Sequence, residues 1–514
     1  MERGFFCEYP TVAVRGDITN PCGKSAKRRI FWNESENSEE GRRTMSLNNT
    51  HLGPVGLGSL LGPCRRLFFI GIGGVSMYAL ALLTLAEGVE VSGSDRTESA
   101  RLGHLRQAGA RVFPGHSAAH LDGCDAVIYT VAIAEDNPEY LEAKRRGLPL
   151  ISRADYLGYL MMRFSNRIGV SGMNGKSTTT ALLAHILLAG GDPTVMGGAE
   201  SVEFGDTSCR IGQKREEFVF EACEYKDSFL DFNPTLAVIL NVGMDHVDYF
   251  HSMEQVRASF RAFAERSLAC GGRALWNADD GETARAMHDL PPESSVTFGL
   301  CETADFRAAN VTDRAGFRSF DFLYKGKKLC RLTLSQPGEF QVYNALAAAS
   351  AAYLCGRSPA EIARAVADFR GIRRRMEYRG KLGGATVYDD YAHHPSAIAA
   401  TLAGARELGY RRVLCAYQPH TYSRTAGLFE EFTHAFDLAD EVYFAEIYAA
   451  RETNESGVSS ADLARAIGSR AEFCGNVADL ARRLPEVVRD GDLLLVMGAG
   501  DIENMFDTLP LEKE

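Results

Sequence analysis

The segment Gly169-Val170-Ser171-Gly172-Met173-Asn174-Gly175-Lys176-Ser177-Thr178-Thr179-Thr180 limits most sharply what this chain can fold into. It follows a short apolar run and opens an Ala/Leu-rich stretch, so it reads as strand, glycine turn, helix. Such a turn curls backbone N–H groups toward a polyphosphate, and the helix N-terminus adds partial positive charge. Lys176 is placed to reach terminal phosphates, and the Ser177 hydroxyl to sit on Mg2+. The spacing is the compact Gly-x-x-Gly-Lys-Ser-Thr, because Val170 stands where the longer phosphate loop has its first glycine.

Strand and helix signals alternate from about residue 65 onward, which predicts parallel α/β architecture. With 514 residues the chain has room for about three domains. The expected fold is α/β in three domains: a Rossmann-like N-terminal domain, a central P-loop ATPase domain and a Rossmann-like C-terminal domain. The expected boundaries are 64–162, 163–376 and 377–514, and residues 1–63, polar with a basic cluster at Lys24, Lys27, Arg28 and Arg29, read as a disordered extension. A net charge of −11 argues against nucleic acid as a partner. No apolar run reaches the ~20 residues of a membrane span, so no membrane insertion is expected. The 12 cysteines include no Cys-x-x-Cys pair and read as free thiols of a cytoplasmic protein.

Other polar clusters follow strand-like runs, where open α/β sheets bind ligands. Gly71-Ile72-Gly73-Gly74-Val75-Ser76 approximates a dinucleotide fingerprint, with Asp95 at the end of the next strand. In Glu221-Ala222-Cys223-Glu224-Tyr225 a carboxylate is placed for Mg2+, and Glu224 is preferred over Glu221. In the cluster from Asn241 to Asp248, His246 is a candidate for a divalent ion and Asn241 for orienting phosphate or carboxylate. Asp389-Asp390-Tyr391-Ala392-His393-His394-Pro395 packs acids and imidazoles before a rigid proline, and hydrogen bonding to substrate is favoured there over metal binding. Arg424, in Gln418-Pro419-His420-Thr421-Tyr422-Ser423-Arg424-Thr425, suits a bidentate anion contact. Ala450-Arg451-Glu452 and Gly498-Ala499-Gly500-Asp501-Ile502 are further strand-end clusters.

These motifs, in this order over roughly residues 65–505, resemble the Mur ligase family, and the sequences at 389–395, 418–425 and 498–502 resemble its alanine-adding branch. The resemblance implies one domain each for a UDP-sugar, ATP and an incoming amino acid. It implies that ATP, UDP-N-acetylmuramate and L-alanine give ADP, phosphate and the amide, through an acyl phosphate, in peptidoglycan synthesis. ATP and Mg2+ are the implied cofactors, and a monomer or homodimer the expected state. Gly172, Met173, Asn174, Gly175, Lys176, Ser177, Thr178 and Asn344 would bind ATP, with Asn344 at the adenine. Gly73, Gly74, Ser76 and Asp95 would hold the UDP-sugar. Ser177, Glu224 and His246 would organise the metal. Asn241, Tyr391, His393, His420, Arg424 and Arg451 would meet substrate, and Lys176, Glu224, His246 and His393 would be catalytic, His393 as acceptor of the amine proton. The family's usual His-Asn pair before Asn344 is Phe340-Gln341 here. Three rivals remain at this point: a relative that adds a preformed tripeptide, a nicotinamide oxidoreductase, and a nucleotide switch.

Overall fold

The computed structural model describes residues 47–205, 207–246, 249–314, 316–450 and 452–512, which form three sheets. The first has five parallel strands, β1 (Arg66–Ile70), β2 (Glu90–Asp95), β3 (Arg111–Pro114), β4 (Ala126–Tyr129) and β5 (Leu150–Ser152), in the order β3-β2-β1-β4-β5. Leu67, Phe68, Phe69 and Ile70 are all buried, as an apolar run must be when helices cover both faces of a parallel sheet.

The central sheet has ten strands. They are β6 (Asn166–Ser171), β7 (Thr194–Ser201), β8 (Thr207–Arg210), β9 (Glu217–Glu221), β10 (Leu236–Ile239), β11 (Arg273–Asn277), β12 (Ser295–Gly299), β13 (Phe306–Arg314), β14 (Phe317–Tyr324) and β15 (Lys327–Thr333). Their order is β15-β14-β13-β12-β11-β10-β6-β9-β7-β8. The β13–β15 end is an antiparallel meander and β8 pairs antiparallel with β7, so the sheet is mixed, not purely parallel as the sequence suggested. The meander needs only one covered face. Phe306, Phe320 and Phe322 point into the core, while much of its other face stays wet.

The third sheet comprises β16 (Glu377–Leu382), β17 (Ala385–Asp390), β18 (Val413–Gln418), β19 (Glu441–Ala445), β20 (Ala471–Gly475) and β21 (Leu493–Gly498). Its order is β16-β17-β21-β18-β19-β20, parallel except for β16.

The first and central sheets share one apolar core. Phe164 stacks on Phe218, Phe218 on Phe220, and Phe220 meets Phe232 edge-on. The expectation of a disordered segment through residue 63 is corrected for its described part. A helix runs over Gly53–Leu61 and buries Leu57 and Leu61 against the helix Arg153–Met161. Its start is held by buried Asp155, which accepts from the N–H groups of Leu52 and Gly53 at 2.7 and 3.0 Å and from Thr50 Oγ1 at 2.7 Å. Glycines disguise this helix in the sequence; a tertiary cap supplies the order that local propensity lacks. The rest of the expected extension, residues 1–46, lies outside the described residues. Among the described residues no helix is long and apolar enough to cross a membrane.

Candidate active site

The C-terminal ends of strands from all three sheets meet at one cleft of about 910 Å3. Val75 and Arg101 line it from the first sheet, the 173–177 loop from the second, and Arg374, Tyr391, His393 and Arg424 from the third. On its floor, β6 ends at Ser171 and the helix Lys176–Leu188 begins, so the first turn of that helix has N–H groups with no intrahelical acceptor. The loop reaches the helix through Gly175 at φ +86°, where a Cβ would come within 2.4 Å of Asn344 Oδ1. Only glycine fits both the backbone and the space there.

Lys176 folds back over the loop, donating to the carbonyls of Gly172 and Met173 and lying 3.2 Å from Glu224. Burial disfavours its ammonium, but the charge of Glu224, with lesser help from Cys223 and Glu221, outweighs burial and raises its pKa. Ser177 Oγ donates to Glu221 at 2.7 Å. In this arrangement Glu224 takes the lysine and Glu221 takes the serine. Thr178 is buried in the first helical turn.

Glu224, Asp245 and His246 bring ligand atoms within 4.8 Å of one another. His246 Nε2 is 4.0 Å from both Glu224 Oε1 and Asp245 Oδ2, too far for hydrogen bonding. Octahedral ligands about 2.1 Å from a small divalent cation lie about 3 Å apart when adjacent, so these two carboxylates and the imidazole would draw in by about 1 Å to hold one. Asp245 joins the set because its carboxylate sits beside His246, a placement the sequence cluster contained without singling it out. Burial alone would raise the pKa of Asp245; His246, its backbone N–H, Arg424 and His394 together hold it low.

Two amides expected at ligands serve the loop instead. Asn241 Oδ1 accepts from Asn174 N at 2.8 Å and its Nδ2 donates to Asn174 O at 3.0 Å, so the side chain clamps the loop and does not face a substrate. Asn344 is buried behind the loop, accepting from Thr179 Oγ1 at 3.3 Å and donating to Gln341 at 3.0 Å. Asp95 likewise buttresses the first glycine turn, accepting from Gly73 N at 2.9 Å. Gly74 and Ser76 stay exposed beside it.

On the third sheet, Tyr391, His393, His420 and Arg424 come together. The rings of His393 and His420 are 5.9 Å apart, and His393 is 5.3 Å from Tyr391. His393 Nδ1 lies 2.9 Å from Tyr391 O, which fixes Nδ1 as the protonated nitrogen and leaves Nε2 as an acceptor. Burial, followed by the nearby charge of Arg424, pushes its pKa down to about 3. Burial keeps His393 neutral with Nε2 unprotonated, and makes it a weak base for the proton-accepting role expected from the sequence. Arg424 donates to His420 O at 2.8 Å. Tyr448 stacks on His420 with ring centres 5.6 Å apart, and Glu452 accepts from Thr421 at 2.6 Å. Glu452 lies in a strand-end cluster noted in the sequence but was given no role, and nothing local marks Tyr448; the loop after β19 brings both in. Arg451 lies outside the described residues.

Three family models match consecutive stretches: the Mur ligase family catalytic domain over residues 66–165, the Mur ligase middle domain over 170–352, and the Mur ligase glutamate ligase domain over 374–500. A UDP-N-acetylmuramate–L-alanine ligase of Caldanaerobacter subterraneus subsp. tengcongensis is 42% identical over 443 residues, 85% of this chain and 95% of that relative. The chain belongs to the Mur ligase family. A second relative of that name, from Caldicellulosiruptor saccharolyticus, is 42% identical over 87% of this chain and 98% of its own. Among solved Mur ligases, the UDP-N-acetylmuramate-alanine ligase of Thermotoga maritima matches with a TM-score of 0.73 at 28% identity, over 86% of this chain and 98% of that one. A murein peptide ligase from Psychrobacter arcticus shares the fold, with a TM-score of 0.66 at 24% identity over 87% of this chain and 98% of its own.

Proposed function

We propose that this Mur ligase joins L-alanine to UDP-N-acetylmuramate at the expense of ATP, giving ADP, phosphate and the UDP-muramoyl-alanine amide in the cytoplasm. The observation that carries this reading is the single cleft in which the Lys176 loop faces Arg101 of the first sheet and His393 and Arg424 of the third. Phosphoryl transfer and amide formation need all three reactants within one water-poor space.

A carboxylate is a poor electrophile, and phosphorylation converts it into an acyl phosphate. The protein's part in that step is positioning and charge neutralisation. Lys176 leaves Glu224 for the terminal phosphates when ATP enters. Glu224, Asp245 and His246, with Ser177, would hold Mg2+, which would supply charge shielding between the carboxylate and the triphosphate. Arg424 takes the alanine carboxylate, while His393 Nε2 accepts a hydrogen bond from the amine and aims it at the acyl carbon. Attack of the amine on the acyl carbon forms the C–N bond, and collapse of the tetrahedral adduct breaks the C–O bond to the phosphoryl group, the departing phosphate taking the amine proton. Residues 64–162 are assigned to the UDP-sugar through Gly73, Gly74 and Ser76, 163–376 to ATP, and 377–514 to the amino acid.

Phosphate release tests the reading. Release that needs both UDP-N-acetylmuramate and L-alanine supports it. Release with a preformed tripeptide but not with alanine replaces it with a peptide-adding reaction.

A further inference from the structure

Two adjacent acids end β17, and the structure treats them oppositely. Asp390 is satisfied, accepting from Met376 N at 2.8 Å and Ala392 N at 2.9 Å. Asp389 points to the other face of the strand and is fully buried, and among the described residues neither of its oxygens has a hydrogen-bond partner. A buried carboxyl left in this state destabilises the fold. The neighbouring cation is equally incomplete. Arg374 Nε is buried without a partner and lies 3.8 Å from Asp389 Oδ1.

The remainder of Arg374 is held toward the cleft. Nη2 donates to Gly498 O at 2.6 Å, Nη1 lies 3.1 Å from the half-exposed Glu503, and the guanidinium sits 4.9 Å over the Tyr391 ring. Its backbone is in the left-handed region at φ +58°, fixed by donation from Arg374 N to Glu377 and from Tyr391 N to Arg374 O. Such a conformation persists where surrounding bonds over-determine it, commonly at a ligand site.

We propose that Asp389 is a positioning residue for Arg374: with substrate in the cleft, its carboxylate takes the Nε–H edge of the guanidinium while Nη1 turns from Glu503 to an anionic oxygen of a reactant. The proposal rests on the ligase reading. A movement of about 1 Å closes the pair to bonding distance. The charged groups facing Asp389 are Arg374 and Arg379, which favour its ionised form, and Glu377 and Asp390, which oppose it. Burial outweighs them all and pushes its pKa up to about 7. Near neutrality the acid therefore gains a proton and loosens its hold on Arg374.

The test compares full-length wild type with Asp389→Asn, Arg374→Lys and the double variant, using phosphate release from pH 5.5 to 9. Wild-type kcat/KM is expected to fall as pH drops through about 7 and to level off about tenfold lower. Asp389→Asn is expected to lose about tenfold at pH 8 and to lack that limb. Arg374→Lys keeps the charge, lacks the Nε edge and should show the same loss, with the double variant no worse than either single change. The reactant whose KM rises (nucleotide, UDP-sugar or amino acid) identifies the anion. Wild-type activity and pH limb in Asp389→Asn would overturn the proposal, and so would losses that multiply in the double variant. Absence of ADP formation by the wild type with all reactants present sinks the ligase reading instead. Coupling is then read from melting temperature against pH. Asp389→Asn should abolish a titration step near pH 7, and Arg374→Ala should move it to higher pH; a step that stays in place in Arg374→Ala refutes the coupling.

Discussion

Arg424 Nη2, on the third sheet, lies 3.7 Å from Asp245 Oδ1, on the loop that follows β10 of the central sheet. Asp245 also belongs to the candidate cation cluster, and Arg424 sits beside His393 and His420. One weak ion pair therefore ties the nucleotide half of the cleft to the amine half.

Lys176 and Glu224 form a second pair in this cleft, 3.2 Å apart. The Lys176→Ala variant leaves buried Glu224 without its cation, so its fold is checked by circular dichroism beside its turnover. Its turnover should fall by about 10^3-fold or more, because nothing else in the loop carries a full positive charge to the γ-phosphate. Turnover within tenfold of wild type would sink this account of the loop.

The Glu224, Asp245 and His246 cluster predicts a metal requirement that tracks its ligands. In His246→Ala the Mg2+ concentration for half-maximal activity should rise at least about tenfold, with the circular dichroism spectrum unchanged. An unaltered Mg2+ titration in that variant would remove His246 from the metal site.

His393 makes a prediction about stability. Its folded pKa of about 3 lies below the ordinary value of 6.5, so the folded state binds fewer protons than the unfolded state between those values. The stability linked to neutral His393 is complete above about pH 6.5 and declines as pH falls toward 3. Relative to wild type, His393→Gln should therefore melt higher at pH 4.5 than it does at pH 8. Equal differences at the two pH values would mean that the ring is not held neutral by burial.

Asp155 supports the segment before the helix Gly53–Leu61. Removing its carboxylate strands the N–H groups of Leu52 and Gly53, and Asp155→Ala should cost about 2 kcal/mol. Denaturant unfolding measures this, and a loss under about 0.5 kcal/mol would mean that the cap contributes little.

Much of the fold is legible in the chain. Apolar runs at 67–70, 236–240 and 493–497 announce buried parallel strands, since only a sheet covered on both faces needs every side chain apolar. The Gly-x-x-Gly-Lys-Ser turn announces its own backbone, because its glycines and the following helix are local features. The meander over β13–β15 is less legible, since its half-wet strands alternate imperfectly and bulge between Ala309 and Thr312.

Sequence by itself determined the α/β class, the phosphate loop with Lys176 and Ser177, and the strand-end clusters that carry the chemistry, since each depends on residues close together in the chain. Only the tertiary structure decided which polar side chain does what. Asn241 and Asn344 turned inward to the loop, Glu221 took Ser177, His393 lost its basicity through burial, and Asp389 was left facing Arg374. Hydrogen-bond partners and desolvation are set by neighbours tens to hundreds of residues away, so local spacing specifies the group and the packed cleft specifies its role.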